Sequence, residues 1–269
     1  MMDFAGARTG YEDADYVIVG VPFDGTSSFR PGSAEAPEEI RQASYCFEPF
    51  MMEYGISLSD IKIHDMGDIS IHDTVENMGR ELQDVVDDII DSKKFPIIMG
   101  GEHSLSSYVV SCFEDVFVLI LDAHLDYRDT YEGLKRSHAT VTRRISESSI
   151  DGLTVLGVRS ISQDEWGERL PTYYGPNDIT EDIIKDLSNK RIYLSIDMDV
   201  FDPSFAPGVG NPEPYGMEPI LCKRLIDVIA DNLVGVDIVE TCPKYDTSGI
   251  TSNLAARFIY DILGARHRV

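Results

Sequence analysis

His103, the trio Asp122, His124 and Asp126, and the pair Asp197 and Asp199 form three short clusters of side chains of the kinds that ligate metals. Each cluster follows an apolar run: 96–99 through the Gly100-Gly101 turn, 116–121, and 192–196. In extended chain, side chains at i, i+2 and i+4 share a face. Asp122, His124 and Asp126 are therefore expected to aim into one space, with Asp197 and Asp199 beside them. Four aspartates and two neutral imidazoles bring four negative charges together. Carboxylates crowded in this way repel one another and take up protons unless something balances them. Two divalent cations would do so, and a pair about 3.5–4 Å apart is a known arrangement. Ligands that are mostly oxygen with two imidazoles favour Mn²⁺ and leave Fe²⁺, Co²⁺ or Zn²⁺ open; a site without thiolates argues against structural zinc.

Each piece alone has a plainer explanation. A D-x-H-x-D run also occurs as a surface turn, an Asp-x-Asp pair as a helix cap, and a histidine after Gly-Gly as a core residue. Three such pieces, each directly after an apolar run, point instead to a shared site.

The elements that must position them alternate along the chain. Strands are expected at 16–21, 61–64, 95–99, 116–121, 154–158, 192–196 and 234–239. Helical patterns lie near 36–43, 75–91, 104–112, 180–187, 219–232 and 251–263, with Pro37 and Thr180 as helix-start residues. This rhythm predicts an α/β class with a parallel sheet covered on both faces, where sites sit beyond the carboxyl ends of the strands. Pro and Gly concentrate in 202–219, a long loop placed on the rim of such a site.

Composition narrows the function classes. Asp and Glu total 47 against 23 Lys and Arg, for a formal charge of -24, which repels nucleic acid and anionic membranes and attracts cations. Part of that charge is expected as a wet helix face, because Asp84, Asp87, Asp88 and Asp91 fall at helical spacing opposite Leu82, Val85, Val86, Ile89 and Ile90. No apolar stretch approaches a membrane span, and the first residues do not read as a secretory signal. Cys46, Cys112, Cys222 and Cys242 show no paired spacing and are expected as reduced thiols, so a cytoplasmic location is expected.

With these residues placed, the chain resembles the ureohydrolases, the family of arginases and agmatinases, over nearly its whole length. Gly100-Gly-Glu-His103-Ser is similar to the family's GGDHS, Asp122-Ala-His-Leu-Asp126 to its DAHxD, and Ser195-Ile-Asp-Met-Asp199 to its SxDxD. Val21-Pro-Phe-Asp-Gly25, Asp202-Pro-Ser204 and Asp237-Ile-Val-Glu240 also resemble family segments, and Ser137-His-Ala-Thr140 with Arg143-Arg144 resembles many agmatinases. The resemblance implies a three-layer α/β/α arginase-like fold with a central, mostly parallel sheet, one catalytic domain over 1–269, and two Mn²⁺ per subunit. By position, His103, Asp122, Asp126 and Asp197 would hold one ion, and Asp122, His124, Asp197 and Asp199 the other. His138 falls at the family's proton-shuttling histidine. Glu240 falls at the carboxylate facing the substrate guanidinium. Asn211 stands where a Thr usually lies beside that guanidinium, Glu102 replaces the Asp of GGDHS, and Tyr215-Gly216 replaces a common Gly-Gly.

The stretch from Asp122 to Asp129 is more like agmatinases than arginases, with Arg128 where arginases carry an Asn. The implied reaction is agmatine to putrescine and urea, a step of polyamine metabolism, in a trimer or hexamer. Arginase, guanidino-acid and formiminoglutamate hydrolase activities use the same fold. A silent metal-binding subunit would be expected to lack a ligand, and all six are present. Metallophosphoesterases place their D-x-H element first, whereas here His103 precedes Asp122.

Overall fold

A computed structural model describes residues 2–167 and 169–268. The apolar runs form strands β1 (Tyr16–Val21), β4 (Ile63–Asp68), β5 (Phe95–Gly100), β6 (Phe117–Leu121), β7 (Gly152–Leu156), β8 (Thr172–Tyr174), β9 (Ile192–Asp197) and β10 (Leu233–Val239). A two-strand antiparallel ribbon, β2 (Phe50–Met51) with β3 (Ile56–Ser57), stands apart. The eight strands make one sheet in the order β4-β1-β5-β10-β9-β6-β7-β8, parallel at every pairing.

Alternation along each strand feeds two cores. Tyr16 and Ile18 of β1, Ile97 and Met99 of β5, and Leu119 and Leu121 of β6 pack on one face, with α1 (Ala36–Ser44), α6 (Glu181–Leu187), α7 (Pro219–Ile229) and α8 (Ile250–Ala265). Val17 and Val19, Ile98, and Val118 and Ile120 pack on the other, with α2 (Val75–Asp91), α3 (Ser106–Val110) and α4 (Val141–Ser146). A short α5 (Gln163–Trp166) lies beyond β7. Each fully buried Ile or Leu contributes roughly 1.5–3 kcal/mol to this three-layer packing. Thr74 caps α2 and Thr180 caps α6 by accepting from backbone N–H groups three residues on.

The strands expected at 61–64 and 154–158 are shifted. β4 runs on to Asp68 because fully buried Arg41 neutralises its acids, with Nε 2.8 Å from Asp65 Oδ2 and Nη1 2.5 Å from Asp68 Oδ1. β7 stops at Leu156, before Gly157 with its φ of 102°. β8 and α4 carried no clear periodic signal, being three and six residues long. Among the described residues, no helix is long and apolar enough to cross a membrane.

Candidate metal centre

Four neighbouring strands, β5, β10, β9 and β6 in that order, end at one edge and deliver the candidate residues. β5 leads through Gly100-Gly101 to His103, β6 to Asp122, β9 ends on Asp197, and β10 leads to Glu240. Gly101 is required there: a Cβ would lie 2.0 Å from the Phe23 carbonyl oxygen. That close approach lets Glu102 N–H donate to the same oxygen at 2.8 Å and pins the loop after β1 beside His103.

The ligand candidates converge, but not by strand alternation. β6 stops at Leu121, and the next residues turn. His124 N–H donates to Asp122 Oδ1 at 2.6 Å, and Asp199 N–H to Asp197 Oδ1 at 2.9 Å, as Asx turns do. Asp126 and Glu240 take left-handed backbone, φ 49° and 63°, a conformation that costs non-glycine residues energy and clusters at functional sites. The outcome is compact. His103 Nδ1 lies 3.1 Å from Asp122 Oδ2, 3.1 Å from Asp197 Oδ2 and 3.7 Å from Asp126 Oδ2. His124 Nδ1 lies 2.9 Å from Asp199 Oδ2 and 3.6 Å from Asp122 Oδ1. Two groups have metal-binding geometry, His103 with Asp122 and Asp126, and Asp122 with His124 and Asp199. Asp122 belongs to both, one oxygen to each side. Asp197 faces the first group through Oδ2, while its Oδ1 is occupied by the Asp199 amide.

The residues fit a cation. His103 Nδ1 and Asp122 Oδ2 are buried and lack hydrogen-bond partners although they face each other, as two ligands of one ion would. The other nitrogen of His103 is engaged: Nε2 lies 3.0 Å from Ser195 Oγ, which donates to Asp237 Oδ1 at 2.6 Å. Burial first, then the charges of Asp122 and Asp199, push the Asp126 and Asp197 carboxyls well above the usual range. That is the response of crowded acids short of positive charge.

Residues 14–264 match the arginase family. The chain belongs to that family. It is 33% identical over 268 residues to an agmatinase of Pyrococcus horikoshii, covering 96% of this chain and 94% of the relative. An N(1)-aminopropylagmatine ureohydrolase of Thermococcus kodakarensis is also 33% identical, over 94% of this chain and 91% of its own. The crystal structure of the agmatine ureohydrolase of Thermoplasma volcanium superposes with a TM-score of 0.94 at 38% identity, over 100% of this chain and 95% of that one. Like its family, the chain is a hydrolase that acts on guanidino C–N bonds, most similar to agmatinases.

In this arginase-family protein one cavity opens on the cluster, lined by His124, Asp126, Asp197, Asp199, His138 and Glu240. Glu240 Oε1 accepts the His103 N–H at 2.8 Å; burial first, with Glu102 and Asp199 adding to it, pushes its carboxyl up to about 8. His138 starts a short 3-10 turn, 138–140, with Nδ1 3.2 Å from Thr26 Oγ1 and Nε2 3.3 Å from Ser28 Oγ. Burial above all pushes its imidazole down to about 4, which favours the neutral ring.

The rim loop carries Asn211 to the cavity, where its amide lies 2.9 Å from His124 Nε2. With His124 Nδ1 turned to the cluster, Nε2 carries the proton, and the amide oxygen is the atom that suits it. The loop is held by Arg159, which donates to the carbonyls of Asp199, Val200, Glu213 and Pro214, and by Asp202, which accepts from the Tyr215 and Gly216 amides. Tyr215, exposed at φ 65°, occupies a backbone conformation that glycine enters freely, in keeping with the common Gly-Gly of the resemblance. Thr26, Ser28, Arg159 and Glu165 escaped the sequence reading. Only Glu165 left a local sign, the Ser162-x-x-Glu165 capping box, which shows a helix start and not a cavity wall.

Proposed function

We propose that this chain is a binuclear manganese amidinohydrolase, a single catalytic domain that converts agmatine to putrescine and urea in the cytoplasm. The observation that carries the reading is one cavity walled by Asp126 of the first candidate metal group, by His124 and Asp199 of the second, and by Glu240. His103, Asp122, Asp126 and Asp197 would hold one ion, and Asp122, His124 and Asp199, with Asp197, the other. Two such cations supply Lewis acidity and a water acidified toward neutral pH. Glu240, whose raised carboxyl an incoming cation would return to the ionised form, would hold the substrate guanidinium by a charge-assisted hydrogen bond, with Oε1 steadied by the His103 amide and Oε2 facing the substrate. That contact also orients the reacting carbon, a term worth several kcal/mol. His138, neutral in the resting cavity, would accept a proton at Nε2 and return it to the departing amine. Asn211 would act through His124 at the cavity wall. A trimer or hexamer accords with the resemblance.

A guanidino acid is the second reading. Arg30 and Arg128 line the cavity, stacked over Tyr245 and Tyr131, where a carboxylate tail would meet them and an ammonium would not. Glu165 on the same wall lies 3.9 Å from Arg128 and offsets part of its charge. The test is urea release by Mn²⁺-loaded protein from agmatine, N(1)-aminopropylagmatine, arginine and guanidinobutyrate. Agmatine is expected to be turned over with the highest kcat/KM. Preference for guanidinobutyrate would overturn that assignment, and no urea from any of them would overturn the enzyme reading of this site.

A further inference from the structure

We propose that Thr26, backed by Glu102, is a positioning residue that holds His138 in one neutral tautomer, with the ring proton on Nδ1 and the Nε2 lone pair facing the cavity. The use made of that lone pair rests on the function proposed above; the tautomer itself does not.

The argument is a count of protons. Glu102 is fully buried, and its carboxylate collects three donors. Thr26 N–H donates to Oε2 at 2.6 Å, the Thr26 hydroxyl to Oε1 at 2.6 Å, and the Ser104 hydroxyl to Oε1 at 2.5 Å. Burial pushes the Glu102 carboxyl up to about 7 and the three donors hold it down; in the ionised form they favour, it only accepts, so the single Thr26 hydroxyl proton is committed to Glu102. Two lone pairs remain on Thr26 Oγ1. The His138 backbone N–H takes one at 3.1 Å, and His138 Nδ1 lies 3.2 Å away at the other. With no proton left to give, Thr26 Oγ1 meets Nδ1 as an acceptor, and Nδ1 must carry the hydrogen. Nε2 is then bare, and Ser28 Oγ, 3.3 Å off on the cavity side, completes the set as a donor to it. A substrate N–H entering the cavity would replace Ser28.

The ring has little freedom to turn away. Tyr131 packs edge-on against it, with centroids 5.3 Å apart at 77°. The Phe23 carbonyl, bonded to Glu102 N–H, ties the loop bearing Thr26 to the turn bearing Glu102. Glu102 therefore has a role of its own: an aspartate there would fall one methylene short of Thr26. Neither residue touches the space where substrate would lie, so both act through His138.

Nitrogen NMR of the histidine rings tests this in protein loaded with Zn²⁺, a diamagnetic ion, with the His138 signals assigned by their loss in His138→Asn. His138 is expected to show a protonated Nδ1 and a bare Nε2. Thr26→Val, which keeps shape and removes the hydroxyl, is expected to give mixed tautomers, Thr26→Ser to restore one, and Glu102→Gln to act in the same direction as Thr26→Val. In Mn²⁺-loaded enzyme, Thr26→Val should keep metal content and KM while kcat falls about 10- to 100-fold, with Thr26→Ser within about threefold of wild type. A proton on Nε2 of His138 in the wild-type protein overturns the proposal, as does a fully active Thr26→Val with an unchanged tautomer. Full turnover by His138→Asn would remove His138 from the proposed reaction, and the NMR result would still decide the tautomer.

Discussion

Replacing Glu240 by Gln separates holding the substrate from holding the metals. The carboxylate lies just beyond β10 in left-handed backbone, with Oε1 tied to the His103 amide at 2.8 Å. Gln keeps an oxygen for that amide and loses the charge. The expected loss is that of a partly desolvated carboxylate–guanidinium pair, about 2–5 kcal/mol. At about 1.36 kcal/mol per tenfold, kcat/KM should fall roughly 30- to 5,000-fold. A fall confined to KM would mean that Glu240 binds ground state and transition state alike; a fall shared with kcat would mean that it also aligns the carbon for attack. The assay is steady-state urea release on Mn²⁺-loaded protein, with metal content measured on the same samples. Glu240 belongs to neither group with metal-binding geometry, so both ions should be retained. Turnover within about threefold of wild type would refute its role as the guanidinium anchor. Parallel loss of metal and rate would show that it acts by placing His103.

Asp122→Asn should lose both ions and turnover together, because Asp122 belongs to both groups with metal-binding geometry, whereas Asp126→Asn should weaken one ion first; metal analysis after dialysis separates the two. Ser195→Ala removes the group that engages His103 Nε2 and is expected to weaken binding at the His103 side about 10- to 100-fold by calorimetric titration, leaving the His124 side unchanged. Hydrogen bonds from Ser204, then from the Gly216 and Tyr215 amides, hold the Asp202 carboxyl down at about 2 from its ordinary 3.8. Since the folded value lies below the unfolded one, that stability is present above pH 4 and lost as pH falls toward 2. After discounting for solvent, Asp202→Asn should cost about 1 kcal/mol at pH 7 and progressively less as pH falls through 2, read from urea midpoints.

Residue types and local spacing carried the site's chemistry, because a ligand cluster is written within a few positions of one strand end. Strand alternation, however, was the wrong device. Asp122, His124 and Asp126 meet through a turn closed by the His124 amide and a left-handed residue, and nothing in a D-x-H-x-D run distinguishes that from extended chain. Likewise β4 continues past His64 because Arg41 is buried against Asp65 and Asp68, a partner far away in the chain.

The parts that were illegible depend on contacts far apart in the chain. Thr26 reaches His138 across 112 positions and Glu102 across 76, so no window of sequence holds all three. Strand order hides in the same way. β5 and β6 are consecutive in the long sheet by chain order, yet β10 and β9 lie between them. That insertion sets Glu240, after β10, against the His103 amide after β5, and brings Asp197, ending β9, beside the same imidazole. Had β9 and β10 joined the outer edges instead, Asp197, Asp199 and Glu240 would stand at strand ends away from His103 and could not complete the site. The metal-binding chemistry is local in sequence, but its convergence is a property of the sheet, and Glu240 tests that directly because only the β5–β10 pairing places its carboxylate on the cavity wall.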